Sequence, residues 1–335
     1  MTRRQLFGAV AAGLAPERPS NADAICGTWA LQQAGSTAEL ERVTRDISAA
    51  LATPRLRGFC LRAPWRAVDE DFRLFEAGWK LSSERGLAYS VRFMAGRHTP
   101  ARVFEAGSPF YSNAAGEKVP SPHGPGGAPN AIFEREYRAY TSRLAGWCRQ
   151  KGVRLLHLAW YGQDWAELNH GKEVRAVEGY SFENWLNAHR RLLDIGLKLA
   201  GEDLACEFPF SGYGPLTDAA VIFADHVVAR IGPANPVFFC QANGWGPGGD
   251  WGAPTPETEA AFDRVWLRPI CRGQQSIQPR DYDWTSLFLK LHENRATYCE
   301  VYVPSFLGAK KDQLAEEVRK FAEHCQRKTP LPERA

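Results

Sequence analysis

The sequence predicts a single (β/α)8 barrel of the α/β class with long loops after its strands, and three observations carry that prediction. Short apolar runs alternate with longer amphipathic ones along the body of the chain, the signature of βαβ units around a parallel sheet. Eight such repeats can be counted, more than an open doubly wound sheet usually holds, and 335 residues accommodate a barrel of about 250 residues with insertions. No P-loop or dinucleotide-binding glycine motif follows any strand, which turns the reading away from nucleotide-binding folds.

The elements follow in order. Ile25–Leu31 reads as the first strand, and Thr37–Leu51 as a helix with Leu40, Val43, Ile47 and Leu51 on one face. Leu56–Pro64 is the second strand and Asp69–Arg85 its helix. Leu87–Ala95 is the third, followed by a Gly/Pro-rich loop over Gly107–Pro129 and the helix Ile132–Lys151. Val153–Trp160 is the fourth strand, and a second long loop leads to the helix Phe182–Ala200. Asp203–Phe210 and the helix Asp218–Ile231 form the fifth unit. Val237–Asn243 and the helix Thr255–Trp266 form the sixth, with a Gly/Trp-rich loop between them. Ile270–Ile277 with Asp283–Asn294, then Thr297–Val303 with Lys311–Gln326, complete the ring. In this division residues 23–335 are the barrel domain.

Composition bounds the function. Hydrophobic residues make up 44% and charged residues 24%, an ordinary globular balance. No apolar run reaches the ~18 residues that crossing a bilayer requires. A net charge of +3, with the basic residues dispersed, offers no basic block for nucleic acid. The aromatic content is the unusual quantity: 11 Trp, 10 Tyr and 18 Phe against 2 Met. Eight cysteines are spread along the chain without a CxxC, so they read as reduced core residues rather than a disulfide framework or a structural zinc site. At the N-terminus, Thr2-Arg3-Arg4-Gln5-Leu6-Phe7 and the small apolar stretch Gly8–Ala15 resemble a twin-arginine export signal, which would make the protein periplasmic or extracellular. The alternative for residues 1–22 is a frayed basic terminus of a cytoplasmic protein.

Strand parity makes a sharper statement, because alternate residues of a barrel strand point into the lumen. In the eighth strand Cys299, Val301 and Val303 form the apolar set and face the helices, leaving Tyr298, Glu300 and Tyr302 inside. By the same logic Glu207, Arg62, Ser90, Arg92, Gln241 and Asn243 turn inward, and His157 joins them. Charged side chains buried singly would each cost several kcal/mol, so such a set must pair or hold something polar. Active sites of this fold lie at the C-terminal ends of the strands, where several of these residues fall.

The loops that follow the strands supply aromatic residues and polar companions. Trp65 follows the second strand and His98 the third, Trp160, Tyr161, Asp164, Trp165 and Glu167 the fourth, Trp245, Asp250 and Trp251 the sixth, and Phe306 the eighth. Rings at the mouth of a polar pocket suit the C–H faces of sugars, while carboxylates and amides such as Gln275 take the hydroxyls. A carbohydrate, with no cofactor, is therefore the expected partner.

Two stretches carry a family resemblance. Gly58-Phe59-Cys60-Leu61-Arg62-Ala63-Pro64-Trp65, followed by an acidic helix, resembles the second strand of family 42-like glycoside hydrolases, a β-galactosidase-type clan of (β/α)8 glycosidases. Ala88–Pro100, ending Ala95-Gly96-Arg97-His98-Thr99-Pro100, resembles the third. The resemblance implies an acid/base glutamic acid after strand four, a role Glu167 matches, and a nucleophilic glutamate after strand seven. There the chain departs from the pattern: Gly273-Gln274-Gln275-Ser276 offers no carboxylate, and Glu300 is the nearest, one strand later.

Glycoside hydrolysis needs two carboxyl groups flanking the bond, one protonated and one ionised. Glu167 with Glu300 is the first pair that the sequence offers, and Glu207 with Glu300 the second. Arginines near Glu300 are expected to hold it ionised, and aromatic desolvation around Glu167 to keep it protonated. Two other classes remain open at this point. One is a catalytically silent barrel that binds carbohydrate or a partner protein. The other is a metal-dependent hydrolase using His98, His157, Asp164 or His170, which lacks the HxH or HExxH spacing that would favour it.

Overall fold

The computed structural model describes residues 25–162, 172–199, 204–211, 216–230, 237–245, 260, 264, 271–276, 282–293 and 296–326. Eight parallel strands close on themselves: β1 (Gly27–Gln33), β2 (Gly58–Pro64), β3 (Ala88–Met94), β6 (Leu155–His157), β7 (Ala205–Ser211), β8 (Val237–Trp245), β9 (Cys271–Ser276) and β10 (Tyr298–Tyr302). The ring closes where Ala30 of β1 pairs with Val301 of β10 on one side and Phe59 of β2 on the other. Each of the eight predicted strands is present, with ends moved by a few residues. The count also settles which strand lacks a carboxylate: β9 is the seventh of the barrel, and Glu300 stands on the eighth.

The outer layer is built from the expected parity. Phe59 and Leu61 of β2, Val91 and Phe93 of β3, Cys206 and Phe208 of β7, and Cys299 and Val301 of β10 are buried in one continuous core beneath the helices. Each large side chain so buried contributes about 1.5–3 kcal/mol. The helix Ala131–Lys151 is the longest of them. Asn130 caps its start, accepting a bond from Phe133 N at 3.1 Å, and Gly152 ends it in the left-handed conformation at φ 68°. Lys311–Gln326 packs against Trp284–Glu293 and β1 at the close of the chain.

Two predictions at this level are corrected. The helix Thr37–Leu51 is divided into Thr37–Arg42 and Thr44–Leu51, with Val43 at φ −103°, ψ 8° between them. The loop Gly107–Pro129 contains a small antiparallel ribbon of β4 (Phe110–Ser112) and β5 (Lys118–Pro120), turned at Gly116 with φ 77°. Its strands are too short for a period-two pattern to register. The predicted helix Thr255–Trp266, apart from residues 260 and 264, and the N-terminal segment lie outside the described residues.

The N-terminal end of the lumen is plugged. Ile25, Trp29, Leu155, Ala205 and Tyr298 form a separate small apolar cluster there, and the Trp29 indole donates to Ile25 O at 2.9 Å. Gly58 makes room for this plug, since a Cβ at that position would lie 2.5 Å from the Trp29 ring and 2.6 Å from Ala88 O. No described helix is long and apolar enough to cross a membrane.

Candidate active site

Above the plug, four strands bring charge to one level. Strand pairing aligns Arg62 with Arg92, Arg92 with His157, and His157 with Glu207. Gln275 aligns with Glu300 on the opposite wall. Arg92, His157, Glu207 and Glu300 have fully buried side chains, and Gln275 is fully buried as well.

Arg92 is the centre of the group. Its Nη2 donates to Glu207 Oε2 at 3.0 Å and to Glu300 Oε2 at 2.8 Å. Its Nη1 donates to Gln275 Oε1 at 2.6 Å. Gln275 Nε2 then donates to the Tyr302 hydroxyl at 3.1 Å, and Arg62 Nη2 donates to the same hydroxyl at 3.1 Å and to Gln33 Oε1 at 3.0 Å. A polar chain thus runs from the buried carboxylates to Gln33 and Tyr302, the last residues of β1 and β10. The Tyr298 hydroxyl donates a short bond to Glu300 Oε1.

His157 stands between the carboxylates. Its Nδ1 is in close contact with Glu207 Oε2, and Arg92 approaches the same nitrogen with Nη2 at 2.8 Å and Nε at 3.2 Å. The carboxylate and the guanidinium demand opposite roles of Nδ1. A carboxylate is the stronger acceptor and is the closer partner, so the proton is assigned to Nδ1. Nε2 then presents a lone pair toward Cys60 Sγ at 3.7 Å, the Tyr298 hydroxyl at 3.4 Å and Glu300 Oε1 at 3.6 Å.

Burial, with Arg92 adding to it, holds the His157 imidazole well below its ordinary range, so the ring is neutral. Burial pushes the Cys60 thiol up, and the neighbouring Glu300 charge pushes it further. Among the described residues Arg92 alone forms ion pairs with Glu207 and Glu300, so two carboxyls share one cation. Glu207 Oε1 has no hydrogen-bond partner among the described residues. A buried carboxylate oxygen left in that state is costly unless a proton or a ligand completes it.

The structure brings Arg92, Glu207, Gln275, Glu300 and Tyr302 together with Arg62, and it separates other predicted members from them. Trp65 is fully buried on the outer side of the barrel, 5.1 Å from the Tyr140 ring and 5.9 Å from that of Phe93, with its indole donating to Asp69 Oδ1 at 3.1 Å. Trp160 is fully buried between Phe208 and Phe223, each 5.2 Å away. Tyr161 packs 4.5 Å from Phe133, and Phe306 joins the same outer core. The expectation that these rings form a sugar-stacking rim is therefore corrected: each is core, turned under the helices. His98 lies in the single turn Gly96–His98 after β3 and is 6% exposed. Glu167, Asp164, Trp165, His170, Asp250 and Trp251 lie outside the described residues, and Gln241, Asn243 and Trp245 are described as backbone only.

Cys60 is the lumen residue that sequence reasoning missed. As a cysteine it reads as a core residue, yet it shares the inward parity of Arg62 two residues on, and that parity is the available signal. Gln33, which holds Arg62, was missed because β1 extends two residues past its expected end.

No protein-family model matches the sequence, and no curated protein matches it either. Solved structures do. The fold is similar to the catalytic domain of a beta-amylase from Paenibacillus polymyxa, with TM-score 0.57 at 8% identity over 91% of this chain and 100% of that one. It is similar also to the 6-hydroxypseudooxynicotine amine oxidase of Pseudomonas geniculata N1, with TM-score 0.52 at 13% identity over 87% of this chain and 48% of that one. Xylanase B of Clostridium stercorarium F9 gives TM-score 0.48 at 12% identity over 85% and 88%. At such identities the likeness establishes the barrel fold alone.

Proposed function

We propose that the protein is a glycoside hydrolase in which Glu300 and Glu207 act on the bond. The observation that carries this reading is the shared nitrogen. Both carboxylates accept from Arg92 Nη2, so their bonded oxygens are no more than about 6 Å apart. Retaining glycosidases hold their pair about 5–5.5 Å apart, while inverting ones need roughly 6.5–9.5 Å for a water. That bound is shorter than the inverting spacing, and it supports the retaining, two-step route.

In that route Glu300 is the nucleophile. Arg92 holds its Oε2 and the Tyr298 hydroxyl its Oε1, and it attacks the anomeric carbon as the bond to the leaving oxygen breaks. Glu207, whose Oε1 is unpartnered among the described residues, carries the proton that the leaving oxygen takes. Glu207 then accepts a proton from the water that opens the glycosyl–Glu300 ester. Arg92 fixes both groups and keeps their mutual repulsion tolerable. Glu167, which follows β6 in the sequence, is the alternative acid. The fold likeness to a beta-amylase catalytic domain is in keeping with this reading.

One observation favours a second reading, a barrel that binds sugar without cleaving it. Gln275 stands where the resemblance implies a carboxylate, and both ends of its amide are engaged by Arg92 and Tyr302. A panel of aryl glycosides decides between them. Turnover of at least one substrate, lost in both Glu300→Gln and Glu207→Gln, supports hydrolysis. Saturable sugar binding without turnover by the unaltered protein supports the second reading.

A further inference from the structure

The geometry points to a metal site in the barrel lumen, formed by Cys60 Sγ, His157 Nε2 and Glu300, that takes zinc or a similar thiophilic divalent ion. The three donors come from β2, β6 and β10, and one atom from each lies within 4.8 Å of the other two. All three side chains are buried. A thiolate, an imidazole nitrogen and one carboxylate oxygen form the mixed donor set that suits zinc with a fourth position left open.

The spacing of the donors is the stronger argument. With zinc bonds of about 2.3 Å to sulfur and about 2.0–2.2 Å to nitrogen and oxygen, tetrahedral edges are roughly 3.5 Å for S···N and 3.4 Å for N···O. The observed edges are 3.7 Å from Cys60 Sγ to His157 Nε2 and 3.6 Å from His157 Nε2 to Glu300 Oε1. Those two edges need to close by only a few tenths of an ångström, and the third, from Cys60 Sγ to Glu300, is no longer than 4.8 Å.

The surroundings supply what a metal-binding histidine requires. Its other nitrogen must be held by an acceptor, and Glu207 Oε2 is that partner, aiming Nε2 at the other two donors. Glu300 is likewise oriented, by Arg92 on Oε2 and by the Tyr298 hydroxyl on Oε1. Charge closes as well when Glu207 is ionised to accept from Nδ1, the proton that hydrolysis would need being absent in this state. Two carboxylates and Arg92 then leave one negative charge, and a divalent ion with the Cys60 thiolate brings the sum to zero. The thiol proton leaves to solvent as the S–metal bond forms, with no change in oxidation state.

This inference stands independently of glycoside hydrolysis, since it concerns the empty lumen without sugar. The test uses the full chain and cobalt(II) alone, a spectroscopically active substitute for zinc. The expected result is one cobalt per chain after dialysis, with intense tetrahedral d–d bands and a near-ultraviolet thiolate-to-cobalt transition. Cys60→Ser should lose that transition, and Glu300→Gln should weaken cobalt binding at least tenfold. Cys148→Ser, and Cys26→Ser combined with Cys325→Ser, should keep both. Absence of cobalt from the unaltered protein, or an unchanged thiolate transition in Cys60→Ser, would overturn the site. If Cys60→Ser does not fold, loss of the transition in either control overturns it instead.

Discussion

Arg92 Nη2 meets Glu300 Oε2 at 2.8 Å with neither side chain exposed to solvent, and the same nitrogen holds Glu207. A pair in this setting owes its survival to completeness. Removing one member strands a charge in a medium that cannot solvate it.

Arg92→Met should accordingly destabilise the fold by about 3–5 kcal/mol, read as a lower urea midpoint at unchanged slope. Arg92→Lys should recover only part of that loss, because an ammonium cannot reach Gln275 and both carboxylates in the forked geometry of a guanidinium. Equal stability of Arg92→Met and the unaltered protein would contradict the described network.

Trp65 tests the corrected view of the aromatic residues. Its ring lies among Phe93, Phe133, Tyr137 and Tyr140, so Trp65→Ala should cost about 3–5 kcal/mol through the cavity it leaves. Trp65→Phe should cost less and leave KM for any cleaved glycoside unchanged. A severalfold rise in KM with unaltered stability would return Trp65 to the rim.

The neutral His157 imposes a pH dependence with a definite sign. Its folded pKa is depressed, chiefly by burial, while in the unfolded chain the ring titrates near pH 6.5. Below that pH the unfolded state takes up a proton that the folded state refuses, so stability falls as pH drops from 6.5 and is regained as pH rises through it. His123, His226 and His292 are lowered in the same direction, each mainly by burial, and add to the slope. His157→Gln should therefore flatten, without abolishing, the decline in melting temperature between about pH 6.5 and 5. An unchanged slope in that variant would contradict the neutral, buried assignment.

Much of this site was legible because barrel strands impose a two-residue period. Apolar Cys299, Val301 and Val303 forced Glu300 inward, and Cys206 with Phe208 did the same for Glu207. Parity is silent on the residues after a strand, where the chain turns freely to either side of the wall. Trp65 follows Pro64 at the end of β2 and turns outward at once into the short helix Trp65–Val68, so its position in the sequence suggested a rim that its ring does not join. Cys60 shows a different failure. Cysteine packs as a small hydrophobe and ligates as a thiolate, and the alternation that placed Arg62 inside applied equally to it. The ribbon of β4 and β5 escaped because three-residue strands give no periodicity to read.

The most direct test of the central claim is a search for the covalent glycosyl ester on Glu300. The protein would be incubated with a 2-deoxy-2-fluoro glycoside of a sugar it cleaves, digested, and read by peptide mass spectrometry. The account predicts one glycosyl adduct on the peptide that contains Glu300, absent in Glu300→Gln and slow to form in Glu207→Gln. An adduct on Glu207 or Glu167, or turnover with inverted anomeric configuration and no adduct, would contradict it.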